Sequence, residues 1–263
     1  MNQEPEQVSQ DSGQVSQEPE QAGLVKAESD LVSALTALLA NPEGREHPGL
    51  FITFEGGDGS GKTTLLSKLG ELLAGEGVPS FVTREPGGTR LGQQLRQLVQ
   101  HGPEDVDPRT EALLYAADRA YHAANVLRPS LDGGTVVLED RYTDSSAAYQ
   151  GSARQLGADE IRGLSNWATQ HLMPDITVLF DVDPQVGLTR AGSQPDRLER
   201  SGLAFHQRVR QAYLDMAAQE PNRFVVVDAS GSQDQVYELL IRALTSRACQ
   251  LLGEDTSQLL RED

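Results

Sequence analysis

Phe51-Ile-Thr-Phe-Glu55 runs directly into Gly56-Gly57-Asp58-Gly59-Ser60-Gly61-Lys62-Thr63. A short apolar run, a glycine-rich turn and a Gly-Lys-Thr that opens a helical pattern match the phosphate-binding loop G-x-x-x-x-G-K-[ST]. The chemistry explains the spacing. Glycines let main-chain N–H groups curl around phosphate oxygens, and the following helix directs its positive end at the same anion. Lys62 is placed to reach the β- and γ-phosphates, and the Thr63 hydroxyl to ligate magnesium. Gly56 through Thr63, with the neighbouring Thr64, form the expected ATP-binding set. The loop specifies a nucleoside triphosphate and leaves the reaction open.

Outward from this loop, Ser80–Thr83, Thr135–Leu138, Ile176–Phe180 and Phe224–Val227 are short apolar or β-branched runs. Helical patterns lie between them, at Leu91–Val99, Glu111–Leu127, Asp159–His171, Ala204–Ala218 and Val236–Ala248. Strands alternating with helices predict an α/β fold, a three-layer phosphate-loop architecture with a parallel, five-stranded sheet covered by helices on both faces. Val136-Val-Leu-Glu-Asp140 ends a strand in carboxylates, where such proteins hold magnesium. Asp140 is the expected ligand beside Thr63, with Glu139 as the alternative.

Composition narrows the partners. The 263 residues carry a formal charge of −17. A chain this acidic repels polyanions, so nucleic acid and anionic membranes are not expected partners. No apolar run reaches the roughly 18–20 residues of a membrane span. The N-terminus shows no basic segment followed by an apolar stretch, so no secretory signal is expected. Cys249, the single cysteine, fits a reducing cytoplasm. Lysine occurs only at 26, 62 and 68, so the Asn-Lys-x-Asp signature of guanine recognition is absent. Residues 1–50 hold nine acids and two bases. Their first part, with Gln-Glu-Pro-Glu-Gln at 3–7 and again at 17–21, reads as disordered. We expect an acidic extension over 1–46 with a loosely attached helix at 29–40, a phosphate-loop domain over 47–252 and a polar tail over 253–263. His47, His101, His122, His171 and His206 lack metal-ligand spacing and are expected at the surface or in caps. Trp167 is expected to pack a helix, and Cys249 to be buried and inert.

From Leu50 to Leu251 the sequence resembles the thymidylate kinase family of nucleoside monophosphate kinases. The resemblance rests on the loop itself, Thr83-Arg-Glu-Pro-Gly-Gly-Thr89, Glu111-Ala-Leu-Leu-Tyr-Ala-Ala-Asp-Arg119 and Asp140-Arg-Tyr142. Ser145-Ser-Ala-Ala-Tyr-Gln-Gly151, Phe180-Asp-Val-Asp-Pro-Gln-Val-Gly187 and Asp196-Arg-Leu-Glu199 complete it. It implies phosphoryl transfer from ATP to dTMP, giving dTDP and ADP for dTTP synthesis, with Mg2+ and in a homodimer. The implied roles are Asp58 near the sugar 3′-hydroxyl, and Arg84 and Arg141 on the acceptor phosphate. Tyr115 would stack on thymine, with Arg119 on a base carbonyl and Ser146 on the pyrimidine edge. Tyr149 would lie against the sugar 2′ position, and the Val227–Gly231 loop beside adenine. Segment 190–200 resembles a mobile lid that closes over ATP. Some relatives carry a catalytic arginine inside the phosphate loop. Here that slot is Gly59, so Arg190, Arg197 and Arg200 are the candidates for the basic group, the first two carried with Lys62 as catalytic. A phosphate-loop kinase for another deoxynucleoside or nucleoside monophosphate, or a nucleotide-binding regulator using the acidic tail, are the alternatives.

Overall fold

A computed structural model describes residues 17–190, 197–198 and 200–253, with side chains from Gln21 onward. The expectations for residues 1–16, for Gly192-Ser-Gln-Pro195 and Asp196 in the lid, and for the polar tail after Gly253 lie outside the described residues.

Five strands, β1 (Leu50–Gly56), β2 (Ser80–Arg84), β3 (Val136–Asp140), β4 (Ile176–Asp181) and β5 (Phe224–Asp228), form one parallel sheet in the order β2-β3-β1-β4-β5. The helices are α1 (Gln17–Ala40), α2 (Lys62–Gly75), α3 (Arg90–His101), α4 (Pro108–His122), α5 (Arg128–Asp132), α6 (Thr143–Ser146), α7 (Ala158–Thr169), α8 (Pro184–Arg190), α9 (Leu203–Gln219) and α10 (Gln233–Leu251). The pattern expected to run unbroken over Glu111–Leu127 leaves α4 through a wider π-helical turn at Ala123–Leu127, and a second such turn, Ala147–Ala153, follows α6.

Alternation along β1 divides the core, because successive strand side chains point to opposite faces. Leu50, Ile52 and Phe54 join α1, α2 and α10 in one apolar cluster, while Phe51 joins Leu127, Leu131, Val137, Tyr142 and Leu172 in another. The polar residues of β1 are buried but partnered. Thr53 Oγ1 lies 2.9 Å from Thr177 Oγ1 on β4. Strand order reverses around β1, so the chain leaves β1 and β3 in opposite directions and opens a crevice at their carboxyl ends, where open α/β sheets bind ligands.

Helix α1 differs from expectation. It begins well before Ser29-Asp30 and is docked, with Leu31, Ala34, Leu35 and Leu38 buried against α10 within the main core cluster. Its apolar spacing found a complementary face that no local reading of the N-terminus shows. Burying a leucine is worth about 1.5–3 kcal/mol. Deleting residues 1–46 is therefore expected to lower the denaturant midpoint by the equivalent of a few kcal/mol, after the entropy of ordering the helix is subtracted. An unchanged midpoint would show that α1 adds nothing to stability.

Candidate active site

The phosphate loop hangs between β1 and α2 as its sequence requires. Gly56 has φ 135°, and a Cβ there would fall 2.5 Å from the Phe180 carbonyl oxygen, so the strand end can pass β4 only as glycine. Gly61, at φ 86°, turns the chain in the left-handed region and starts α2 at Lys62. The Lys62 ammonium is buried and donates to Gly56 O at 2.9 Å, Gly57 O at 2.8 Å and Ser60 Oγ at 3.2 Å. Burial, and after it the Arg141 charge, push it down to about 8.

Asp140 closes the other side of the crevice. The Thr63 hydroxyl donates to its Oδ2 at 2.9 Å, while its Oδ1 is buried with no hydrogen-bond partner among the described residues. A hydroxyl beside an unsatisfied carboxylate oxygen is a hard-oxygen donor set of the kind magnesium takes. Glu139, the alternative ligand, is fully buried and turned toward His122. In a strand, neighbouring side chains face opposite ways, so only one of the two acids can reach the loop.

Arg141 follows at φ 68°, a backbone conformation uncommon outside glycine. Its guanidinium donates to Asp58 Oδ1 at 2.6 Å, Gly56 O at 3.2 Å and Ser145 Oγ at 3.3 Å, and stacks 5.1 Å from the Tyr149 ring. The Tyr149 hydroxyl donates to Asp58 Oδ2 at 3.1 Å. Burial alone would raise the Asp58 carboxyl, but Arg141, Lys62 and His206 outweigh it and hold it below its ordinary value. Beneath them Glu55 accepts from Tyr142 N, Ser145 Oγ and Tyr213 Oη, and burial followed by the Asp144 charge raises its carboxyl.

A single cavity of about 490 Å3 joins these groups to the other expected site residues. Asp58, Lys62, Thr63, Thr64 and Asp140 line one end. Arg84, Tyr115, Arg119, Arg141, Ser146 and Tyr149 line the rest. The Arg84 side chain is exposed where it lines the cavity. Arg119 is rigidly held, with Nε donating to Glu85 at 2.7 Å, Nη1 to Ser146 Oγ at 3.0 Å and Nη2 to Tyr142 O at 3.0 Å.

The lid arginines part company. Arg190 lines the cavity while donating to Ala229 O at 2.8 Å and Ser230 O at 2.7 Å, which ties α8 to the loop after β5. Arg197 is buried away from the cavity, on Val99 O and on Glu111 at 2.7 Å, and Arg200 reaches Glu104. Thus the structure brings Arg190 to the crevice and does not bring Arg197 there. The cavity also holds Arg96 and Gln100 of α3, and Gln150, which the sequence reading missed. Arg96 sits in a strongly amphipathic helix, where an arginine reads as solvent-facing. Its position beside Pro86, to whose carbonyl it donates at 3.0 Å, is a tertiary fact.

Three expectations need correction. His122 and His206 are buried rather than at the surface or in a cap, because each meets carboxylates distant in sequence: Glu85 and Glu139 for His122, and Asp58, at 3.9 Å, for His206. Burial alone would lower the His122 ring, but Glu139 and Glu85 push it up to about 10. Trp167 does not pack a helix; it is 79% exposed, because α7 turns that position outward. Cys249 is buried, as expected.

A family model described as thymidylate kinase matches residues 54–240. The chain is 53% identical over 196 residues to the thymidylate kinase of Bifidobacterium longum subsp. infantis, covering 73% of this chain and 84% of that protein. It is 55% identical over 192 residues to that of Leifsonia xyli subsp. xyli, covering 72% and 91%. It is 48% identical over 201 residues to that of Deinococcus radiodurans, covering 76% and 98%.

Proposed function

The chain belongs to the thymidylate kinase family, and from that premise we infer that it is an ATP-dependent dTMP kinase, giving dTDP and ADP for dTTP synthesis. One observation carries the reading at the level of residues: one continuous cavity is lined by the phosphate loop together with Arg84, Arg119, Arg141 and Tyr115.

The residues divide the work. Main-chain amides from Gly57 to Thr64 receive the ATP phosphates, and Lys62 exchanges its loop carbonyls for β- and γ-oxygens. Arg84 and Arg141 grip the dTMP phosphate and bring it in line with the γ-phosphorus. The attacking oxygen is already anionic, so no general base is required, and catalysis is positioning plus charge neutralisation. Asp58, kept ionised by Arg141, accepts the sugar 3′-hydroxyl. Tyr115 stacks on thymine, Arg119 and Ser146 hydrogen-bond its edge, and Tyr149 crowds the 2′ position. Arg190 is the lid-side cation in reach of ATP. Thr63 and Asp140 would hold magnesium, which supplies charge neutralisation on the phosphates when bound. Arg197 serves the lid through Glu111 rather than by touching the transferred group.

Coupled measurement of ADP release over an acceptor panel tests this. We expect turnover with dTMP and none with thymidine. Absence of ADP with dTMP, ATP and Mg2+ overturns the reading, and turnover of thymidine in its place points to a deoxynucleoside kinase.

We also propose a homodimer. Leu113 and Tyr121 on α4 and Trp167 on α7, helices that pack on each other, expose apolar surface of the sort that marks an interface. A single-chain mass in sedimentation equilibrium would refute it. No helix of the described residues is long and apolar enough to cross a membrane. We place the reaction in the cytoplasm, because Cys249 is the single cysteine of the chain and no internal disulfide can form.

A further inference from the structure

The last residue of α4 is a buried group that the transfer step above does not use. His122 Nδ1 sits 3.2 Å from Glu85 Oε1 and 3.0 Å from Glu139 Oε1, and its Nε2 lies 2.8 Å from Thr83 Oγ1. All four side chains are buried. A Cβ on Gly88 would fall 2.6 Å from Nε2, so the backbone there packs directly on the ring. These contacts join three segments of the site. Thr83 and Glu85 flank Arg84, Glu139 precedes Asp140, and α4 itself carries Tyr115 and Arg119. The second oxygen of Glu85 receives Arg119 Nε at 2.7 Å. Two carboxylates this close in a dry interior repel unless cations lie against both. Of these two acids Arg119 bonds Glu85, its other donors going to Ser146, Ser165 and the Tyr142 carbonyl, and Asp118, also buried nearby, adds another acid.

We propose that His122 is a positioning residue for the acceptor site: its imidazolium holds Glu85 and Glu139 together, so that Glu85 stays on Arg119 Nε and aims that guanidinium into the cavity. The proposal deepens the dTMP kinase reading and, as far as catalysis goes, rests on it. The three ligand-type atoms lie within 4.8 Å of one another. A cation between them would require His122 to give up its proton and the hydrogen bonds just described, so the geometry favours the ionic network.

The test compares the wild type with His122→Gln and with His122→Gln/Glu139→Gln. In the single variant Glu85 and Glu139 lose the ring that lies against both of them. In the double variant one of them is neutral. We expect His122→Gln to raise the KM for dTMP about tenfold or more, the scale of a misplaced binding group, with the KM for ATP nearly unchanged. The double variant should recover most of the dTMP KM. The Arg119 Nε–H proton resonance reports the Glu85 bond without substrate, and it should be present in wild type, lost in the single variant and regained in the double. Equal changes in both KM values, no recovery in the double variant, or failure of both variants to fold would assign His122 to packing and overturn the proposal. So would one equivalent of divalent metal retained by the nucleotide-free wild type. If wild type fails to turn over dTMP, the functional reading falls, while the resonance still decides the role of His122.

Discussion

Lys62→Ala is expected to lower kcat by about 10²–10³-fold, the usual loss when one preorganised donor to a developing anion is removed. The ammonium is already desolvated, held between the Gly56 and Gly57 carbonyls and Ser60 Oγ. The cost of stripping its water was met during folding, so its attraction to the transferring oxygens is realised in the reaction. Burial and the Arg141 charge leave it at about 8, so it remains mostly protonated at pH 7. The KM for ATP should rise as well, because the same charge binds ground-state phosphates. Stability should hold or improve, since a buried lysine is exchanged for alanine. Lys62→Arg should not rescue turnover: a planar fork cannot occupy the gap filled by a compact ammonium. Steady-state kinetics beside a thermal melt check this, and a loss under about tenfold would remove Lys62 from the catalytic account.

Arg141→Ala should cost more, because it affects activity and fold together. The guanidinium stands between the Gly56 carbonyl, Asp58 and Ser145 and against the Tyr149 ring. Removing it deprives the acceptor phosphate of a bidentate partner. It also takes from Asp58 the largest of its compensating charges in the same crevice, so that the carboxylate repels the incoming phosphate more strongly. We expect kcat/KM for dTMP to fall by about 10³-fold or more. Asp58 and Arg141 keep 15% and 20% of their side-chain surface in solvent. The stability loss should therefore lie below the roughly 3–5 kcal/mol of a fully buried broken pair. Adding Asp58→Asn should restore much of the melting temperature and little of the activity, since the amide relieves repulsion without gripping phosphate. Arg141→Lys should keep charge yet recover only a fraction of turnover, because three separated acceptors need the fork. Recovery of both quantities by Asp58→Asn would show that Arg141 serves only to neutralise Asp58.

The parallel sheet was legible because its cause is local. Leu50–Gly56, Val136–Asp140 and Ile176–Asp181 are apolar enough to be buried on both faces, and each is followed by turn residues and a helical period. The phosphate loop was legible for the same reason. Gly56, Gly61, Lys62 and Thr63 act through backbone conformation and spacing within one turn. Asp140 and Arg141 were found because an acid at a strand end is itself a pattern. The choice between Asp140 and Glu139 follows from the alternation of side chains once the facing strands are known.

Charge partners across the fold were not legible. Nothing near His122 in sequence announces Glu85 and Glu139, and nothing near Arg197 announces Glu111, because an ionic contact depends on where distant elements pack. The docking of α1 on α10 is of this kind. An apolar stripe declares that it wants a partner but not which one. Amino-acid order alone determined the nucleotide-binding loop, the strand-and-helix alternation and the chemical types at the site, since each depends on residues a few positions apart. Only the tertiary structure decided which cations face the cavity and which are spent on buried acids, because that outcome depends on distances between segments far apart along the chain.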